Sequence, residues 1–243
     1  QQIQSYVFGG ERSLGLWTVS GQLGYSKASE KTPEGIAGAT FEGNDDFADV
    51  GFGGTRKPKL NIGSDFYDPA NFTLDEVAWE KQKTTDTEKN IKLDLARDYE
   101  LSGYAAQAKF GGKLSRRKKD NDLEAWVYED LGDFGLTDEQ LNLGQFVKGE
   151  VDYGLGRFGP GISAKAIERL LAGLNKADFY DEEESRINDF SMREDINAAY
   201  LMNSVDIDDW RFIAGMRYEG TEFEAKGTGL RDDAYESISS RKR

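Results

Sequence analysis

Hydrophobic and polar residues alternate with a period of two in three widely separated parts of this chain. In Glu194–Ala225, Trp210, Phe212, Ala214, Met216 and Tyr218 take alternate positions, and Arg211, Ile213, Gly215, Arg217, Glu219 and Thr221 take the others. Period two is the side-chain repeat of a β-strand. It predicts one apolar face ending in aromatics and one mostly charged face, with a turn near Asp206–Asp209. Another hairpin is predicted from Ile3–Arg12, a turn at Ser13-Leu14-Gly15-Leu16, and Trp17–Lys27. Its return strand sets Trp17, Val19, Gly21, Leu23 and Tyr25 against Thr18, Ser20, Gln22, Gly24 and Ser26. The third runs Asn90–Leu101 and Tyr104–Arg116 around Ser102-Gly103. There Ile91, Leu93, Leu95 and Tyr99 alternate with Lys92, Asp94, Ala96 and Asp98, and Phe110 and Leu114 with Lys109 and Lys113. The pattern predicts an all-β chain with antiparallel hairpins at about 3–27, 90–116 and 190–225.

The connections, 28–89 and 117–189, are the informative part. Compact soluble domains rarely carry structureless loops beyond about 15 residues. Short turns alternating with long loops predict part of a large transmembrane β-barrel with long extracellular loops. The polar rows would line the lumen and the apolar rows would meet lipid. Trp17 and Tyr25, like Trp210 and Tyr218, stand eight residues apart. On a tilted strand that is roughly 19 Å, near the spacing of two aromatic girdles. The charges on the polar rows are too many for the core of a small sandwich. Within the loops, Thr137-Asp138-Glu139-Gln140 reads as a capping box opening a short helix. A helix capped by Ser163 should run to Leu174 with Ile167, Leu170, Leu171 and Leu174 on one face. Leu74–Glu80 reads as a further helix, and Phe47–Ile62, despite Pro58, as an extra hairpin.

Composition narrows the chemistry. The 243 residues include no Cys and no His. Disulfides, thiol chemistry, a Ser-His-Asp triad and His-ligated zinc are excluded. A net charge of −14 argues against nucleic acid as the partner. No stretch approaches the roughly 20 apolar residues of a membrane-spanning helix, which leaves β-strands as the means of crossing. No signal peptide opens the chain at Gln1, and Ser239–Arg243 is not an obvious terminating element, so a fragment of a longer protein is expected.

The residues also carry a family likeness. Glu194-Asp195-Ile196-Asn197-Ala198-Ala199-Tyr200, then Trp210, then Gly215-Met216-Arg217-Tyr218-Glu219-Gly220-Thr221, resembles the barrel of TonB-dependent outer-membrane receptors. Leu93-Asp94-Leu95 through Phe110-Gly111-Gly112-Lys113 resembles a mid-barrel hairpin of that family. The likeness covers all three hairpins and none of the long loops. It implies a place in the bacterial outer membrane, in a barrel of about 22 strands with a plugged lumen. It also implies uptake of a scarce small-molecule nutrient: siderophore-iron, vitamin, haem or oligosaccharide. TonB would supply the energy. Outer-membrane lipid, a plug domain and TonB are the implied partners, the last two through parts of the protein outside this chain. No plug domain, TonB box or C-terminal aromatic strand is recognised here, and no bond chemistry or cofactor is implied.

Under this reading the lumen-facing candidates for ligand or plug contact are Gln22, Lys109, Lys113, Asn197, Arg211, Arg217, Glu219 and Thr221, with Thr18, Ser20 and Asn203 in the same set. Loop aromatics Phe66, Tyr67, Trp126, Tyr128, Phe158 and Tyr180 would touch ligand or pack the loops. The acidic run Asp178–Asp189 lacks the spacing of a calcium loop and reads as solvated. Asp208-Asp209 reads as turn chemistry. Gly9-Gly10, Gly53-Gly54 and Gly111-Gly112 lack the strand–turn–helix setting of a phosphate loop. Two rivals remain: a passive porin-like channel, and a soluble secreted β-rich binding domain whose apolar rows are buried under a second layer.

Overall fold

The computed structural model describes residues 1–44, 46–47, 50–54, 56, 59–151, 159–232 and 234–242. In chain order the strands are β1 (Gln2–Leu14), β2 (Trp17–Gly43), β3 (Gly51–Gly53), β4 (Lys59–Asn61), β5 (Phe72–Leu101), β6 (Tyr104–Tyr128), β7 (Val147–Glu150), β8 (Pro160–Ile162), β9 (Tyr180–Asp181), β10 (Phe190–Ile207), β11 (Trp210–Arg231) and β12 (Ala234–Lys242). The helices are α1 (Asp138–Leu141), α2 (Ala164–Leu171) and α3 (Glu182–Ile187), joined by 3₁₀ turns. One antiparallel sheet in the order β1-β2-β5-β6-β10-β11-β12 dominates, with β9 on β6. Each of the seven strands on that path pairs with its neighbour in sequence along the path, so the sheet is an up-and-down meander.

The chain divides into two units, and β2, β5 and β6 contribute to both. The first comprises Gln1–Thr32, Gln82–Leu123 and Glu183–Arg243. Its hairpins turn at Gly15-Leu16, Ser102-Gly103 and Asp208-Asp209. Gly15, Ser102, Gly103 and Asp208 all have φ between +51° and +86°. Ser102 and Gly103 share positive φ, as a tight hairpin loop that matches the strand twist requires. The turn from β11 to β12 is also tight, with Asp232 at φ +48°. This turn lies at the opposite end of β11 from Asp208-Asp209, so the end with the long connections also carries one short one, and Ala234–Lys242 is a paired strand that the alternation does not predict.

The second unit comprises Pro33–Lys81 and Glu124–Glu182. It holds a hydrophobic core of Leu74, Val77, Tyr128, Leu131, Leu141, Phe146, Ile167, Leu171 and Phe179. Thr137 and Gln140 form the expected capping box of α1. α2 follows Ser163 and buries Ile167 and Leu171. It stops at Leu171, short of Leu174. The expected helix at Leu74–Glu80 is instead part of β5. Leu74 and Val77 are both buried at a helix-like spacing because core residues cover this strand on both faces. β3 pairs with β4 inside the Phe47–Ile62 segment, with Phe52 opposite Leu60, while Pro58 lies outside the described residues.

The strands run further than alternation predicts. β5 is 30 residues long and β2 is 27, against the roughly 9–11 that cross a bilayer. The expected loop limits 28–89 and 117–189 are corrected to 44–71 and 129–189. Over residues 82–89 both faces of β5 meet water or polar neighbours, so apolar alternation fades while the ladder continues. Thr84, Thr85 and Thr87 keep β-propensity there without any apolar face.

Candidate functional site

Directly paired residues of antiparallel strands point to the same side, so register fixes the two faces. Leu201 of β10 lies opposite Phe110 of β6 and Met216 of β11. Leu201 is 60% and Met216 82% exposed. Trp17, Val19, Leu23, Trp210, Phe212 and Tyr218 are exposed as well, and Tyr25 is half-buried against Tyr6, ring centroids 6.3 Å apart. No second layer covers this row among the described residues, which counts against a soluble sandwich. The first unit's sheet instead buries polar and small side chains: Asp94, Ser115, Asn121, Ala96 and Ala198.

The inner row converges on Asp94, 8% exposed. Its carboxylate accepts the Tyr200 phenol at 2.8 Å, lies 2.8 Å from Lys92 Nζ and 4.0 Å from Lys109 Nζ. Tyr200 lies opposite Gly111 and Arg217. A Cβ on Gly111 would stand 2.2 Å from Asp94 Oδ1 and 2.7 Å from the Tyr200 ring. Glycine is required so that the tyrosine can cross β6 and reach Asp94 on β5. Arg217 pairs with Glu219, and Arg211 Nε donates to Asp206 at 2.5 Å. Lys92, Tyr200, Met202, Ile213, Gly215 and Arg217 line a groove of about 400 Å³.

Of the candidates read from sequence, Lys109, Lys113, Arg211, Arg217, Glu219 and Thr221 stand on this inner row by register. Gln22 joins them by parity with Gly24, where an added Cβ would meet the Asn90 side chain at 2.6 Å. Asn197 does not. It lies opposite Leu114 and Gly220 on the outward row, and its Oδ1 accepts from both Arg116 terminal nitrogens at 3.2 Å. Asn203 also faces outward, donating to the Tyr99 hydroxyl at 2.7 Å. The two rows of β10 are alike in polarity, so its pattern could not assign faces; pairing with the clearly amphipathic β6 and β11 does. The Asp94–Tyr200 pair is not predicted by the alternation, although Asp94 lies in Leu93-Asp94-Leu95 and Tyr200 ends Glu194–Tyr200.

Above the band, the inner faces of β5 and β6 are complementary in charge. The Arg117 guanidinium grips Asp86, with its Nε donating at 3.0 Å, and holds that carboxyl below the usual carboxylate range. Ser115 donates to Glu88 at 2.9 Å, and Asn121 accepts from Thr84 at 2.6 Å. Acidic residues on β5 against basic ones on β6 help to fix register where apolar alternation has ended.

In the second unit, Lys176 lies 2.5 Å from Glu34 and sits 3.2 Å from the Trp126 ring centre. That ammonium holds the Glu34 carboxyl below its ordinary value. Tyr128 stacks on Phe179 at 4.4 Å, and burial raises its phenol. Phe66 packs against Phe47, Phe72 and Tyr67, while Trp126 meets Tyr180 edge-on. Phe158 lies outside the described residues. Glu139, Gln145, Phe146, Ala166, Arg169 and Leu170 line a surface cleft of about 400 Å³. The acidic run contributes α3, and Asp189 accepts the Leu123 amide at 2.8 Å. Among the described residues no group of three acidic side chains is arranged to hold a metal ion.

A family model described as TonB dependent receptor-like, beta-barrel matches residues 21–242. No curated protein matches the chain.

Proposed function

Since the chain belongs to the TonB-dependent receptor β-barrel family, whose members are outer-membrane transporters rather than enzymes, we propose that it forms part of the wall of a receptor importing a scarce small-molecule nutrient. The observation that carries this reading is the bare apolar row backed by a charged inner row on one continuous meander. In a bilayer the outward row is solvated by lipid, and the inner row needs a polar filling. That filling is a plug domain carried elsewhere in the receptor, together with the ligand in transit. Gln22, Lys109, Lys113, Arg211, Arg217, Glu219 and Thr221 are the wall residues that touch them. The second unit, with its own core, presents the extracellular surface that first captures ligand. TonB-coupled energy then rearranges the plug.

The test is uptake by cells that express or lack the full receptor, offered labelled ferric siderophores, cobalamin, haem and oligosaccharides in turn. One of these should enter only with the receptor, and a protonophore should abolish entry. Receptor-dependent entry that survives the protonophore supports a passive channel instead.

A further inference from the structure

The outward rows of β2 and β5 change character just above the apolar band. Two residues past Tyr25 stands Lys27, then Ser29 and Lys31; two residues before Ile91 stands Lys89, then Thr87, Thr85 and Lys83. Lys27, Lys31, Lys83 and Lys89 are all exposed, and no carboxylate pairs with any of them among the described residues. An added Cβ on Gly21 would meet Leu93 Cδ2 at 3.1 Å, and one on Gly24 would meet Asn90 Oδ1 at 2.6 Å. Continued up the strand pair, that register sets Lys31 opposite Lys83. Like charges directly opposite on adjacent strands are destabilising. The acidic residues of the same stretch, Glu30, Asp86 and Glu88, fall on the inner row, where Asp86 is held by Arg117 and Glu88 by Ser115. On the neighbouring β6 the outward cations are already satisfied: Lys118 by Asp120 at 2.7 Å and Arg116 by Asp195 at 3.4 Å.

A chain of net charge −14 thus carries one outward patch of four unpaired lysines with hydroxyls between them. We infer that this patch binds the phosphate-bearing headgroups of outer-leaflet lipid. Its height selects the occupant, because the row continues directly from the apolar band into the layer where headgroups lie. Lysines at that level attract anionic lipid, whereas a soluble acidic partner gains nothing from adjoining hydrocarbon. The hydroxyls of Ser29, Thr85 and Thr87 add hydrogen-bond donors for phosphate oxygens. The inference rests on the placement of the apolar band in a bilayer.

The full receptor is reconstituted into phosphatidylcholine vesicles with and without phosphatidylglycerol, and the lipid retained after mild extraction is measured by native mass spectrometry. Wild type should retain phosphatidylglycerol preferentially, and added salt should weaken that preference. The combined variant Lys27→Gln, Lys31→Gln, Lys83→Gln and Lys89→Gln should insert normally yet lose retention by about tenfold or more. Lys118→Gln, which removes an already paired cation, should retain it. Equal retention by the combined variant and wild type would overturn the inference. So would full displacement by inorganic phosphate at matched phosphate concentration, which would indicate a free-anion site. Failure of wild type to insert into either vesicle would overturn the membrane placement itself; insertion without lipid preference would overturn only the patch.

Discussion

Tyr200 donates its phenolic proton to Asp94 at 2.8 Å, reaching over the intervening strand at Gly111. This contact ties three strands together on the inner face and keeps a largely buried carboxylate satisfied. Gly111→Ala should destabilise the receptor by about 1–3 kcal/mol through overpacking. Tyr200→Phe should cost about 1.5–3 kcal/mol, the range for a hydrogen bond to a charged group. Urea unfolding in vesicles measures both, and an unchanged midpoint for Gly111→Ala would mean the tyrosine does not cross there.

Acid should loosen the second unit through Glu34. Its folded carboxyl is held below the ordinary value of 4.5 by Lys176. A depressed carboxylate contributes stability that is fully present above the ordinary value and is lost as pH falls through the folded one. Trp79, which donates to Glu34 at 3.3 Å, and Trp126 beneath Lys176 provide a fluorescence readout. In Glu34→Gln the acid limb of that signal should flatten. An acid limb identical to wild type would remove Glu34 from the account.

The second unit should yield to core truncation without loss of the wall. Ile167 is 1% exposed within its core. Ile167→Ala should cost about 2–5 kcal/mol. The near-ultraviolet circular dichroism of the aromatic cluster should weaken while vesicle insertion persists. Loss of insertion would show that the wall depends on this core.

The outward row should reject charge and the inner row accept it. Ala214 stands near the middle of the Trp210–Tyr218 band, opposite Asn203. Ala214→Arg should cost about 2–4 kcal/mol in a bilayer, the range for a lipid-facing midplane position. Lys113→Arg on the inner face should be nearly neutral. Equal effects in a folding titration would contradict the assignment of faces.

Legibility in the sequence followed the solvent on each side of a strand. Where one face is apolar and the other charged, as in Trp210–Tyr218, parity and turn positions could be read directly. In β10 both rows mix apolar and polar residues, so the pattern alone sets Asn197 and Asn203 on the wrong side; their pairing with Leu114 and Ala108 of β6 and with Gly220 and Ala214 of β11 corrects them. Above the band alternation vanishes, so the upper halves of β2 and β5 passed for loops. Leu74 and Val77 mimicked a helix because their strand is covered on both faces. The capping box at Thr137 was legible because its signal is local. The Asp94–Tyr200 contact was not, because it joins residues 106 apart in sequence.

Spin labels placed singly from Arg211 to Arg217 in the full receptor in vesicles distinguish one lipid-facing row from one lumen-facing row. Collision with oxygen should peak at Phe212, Ala214 and Met216, and fall at Arg211, Ile213, Gly215 and Arg217, with a period of two. Oxygen accessibility that is uniformly low at Phe212, Ala214 and Met216, or that lacks this period, would contradict the account.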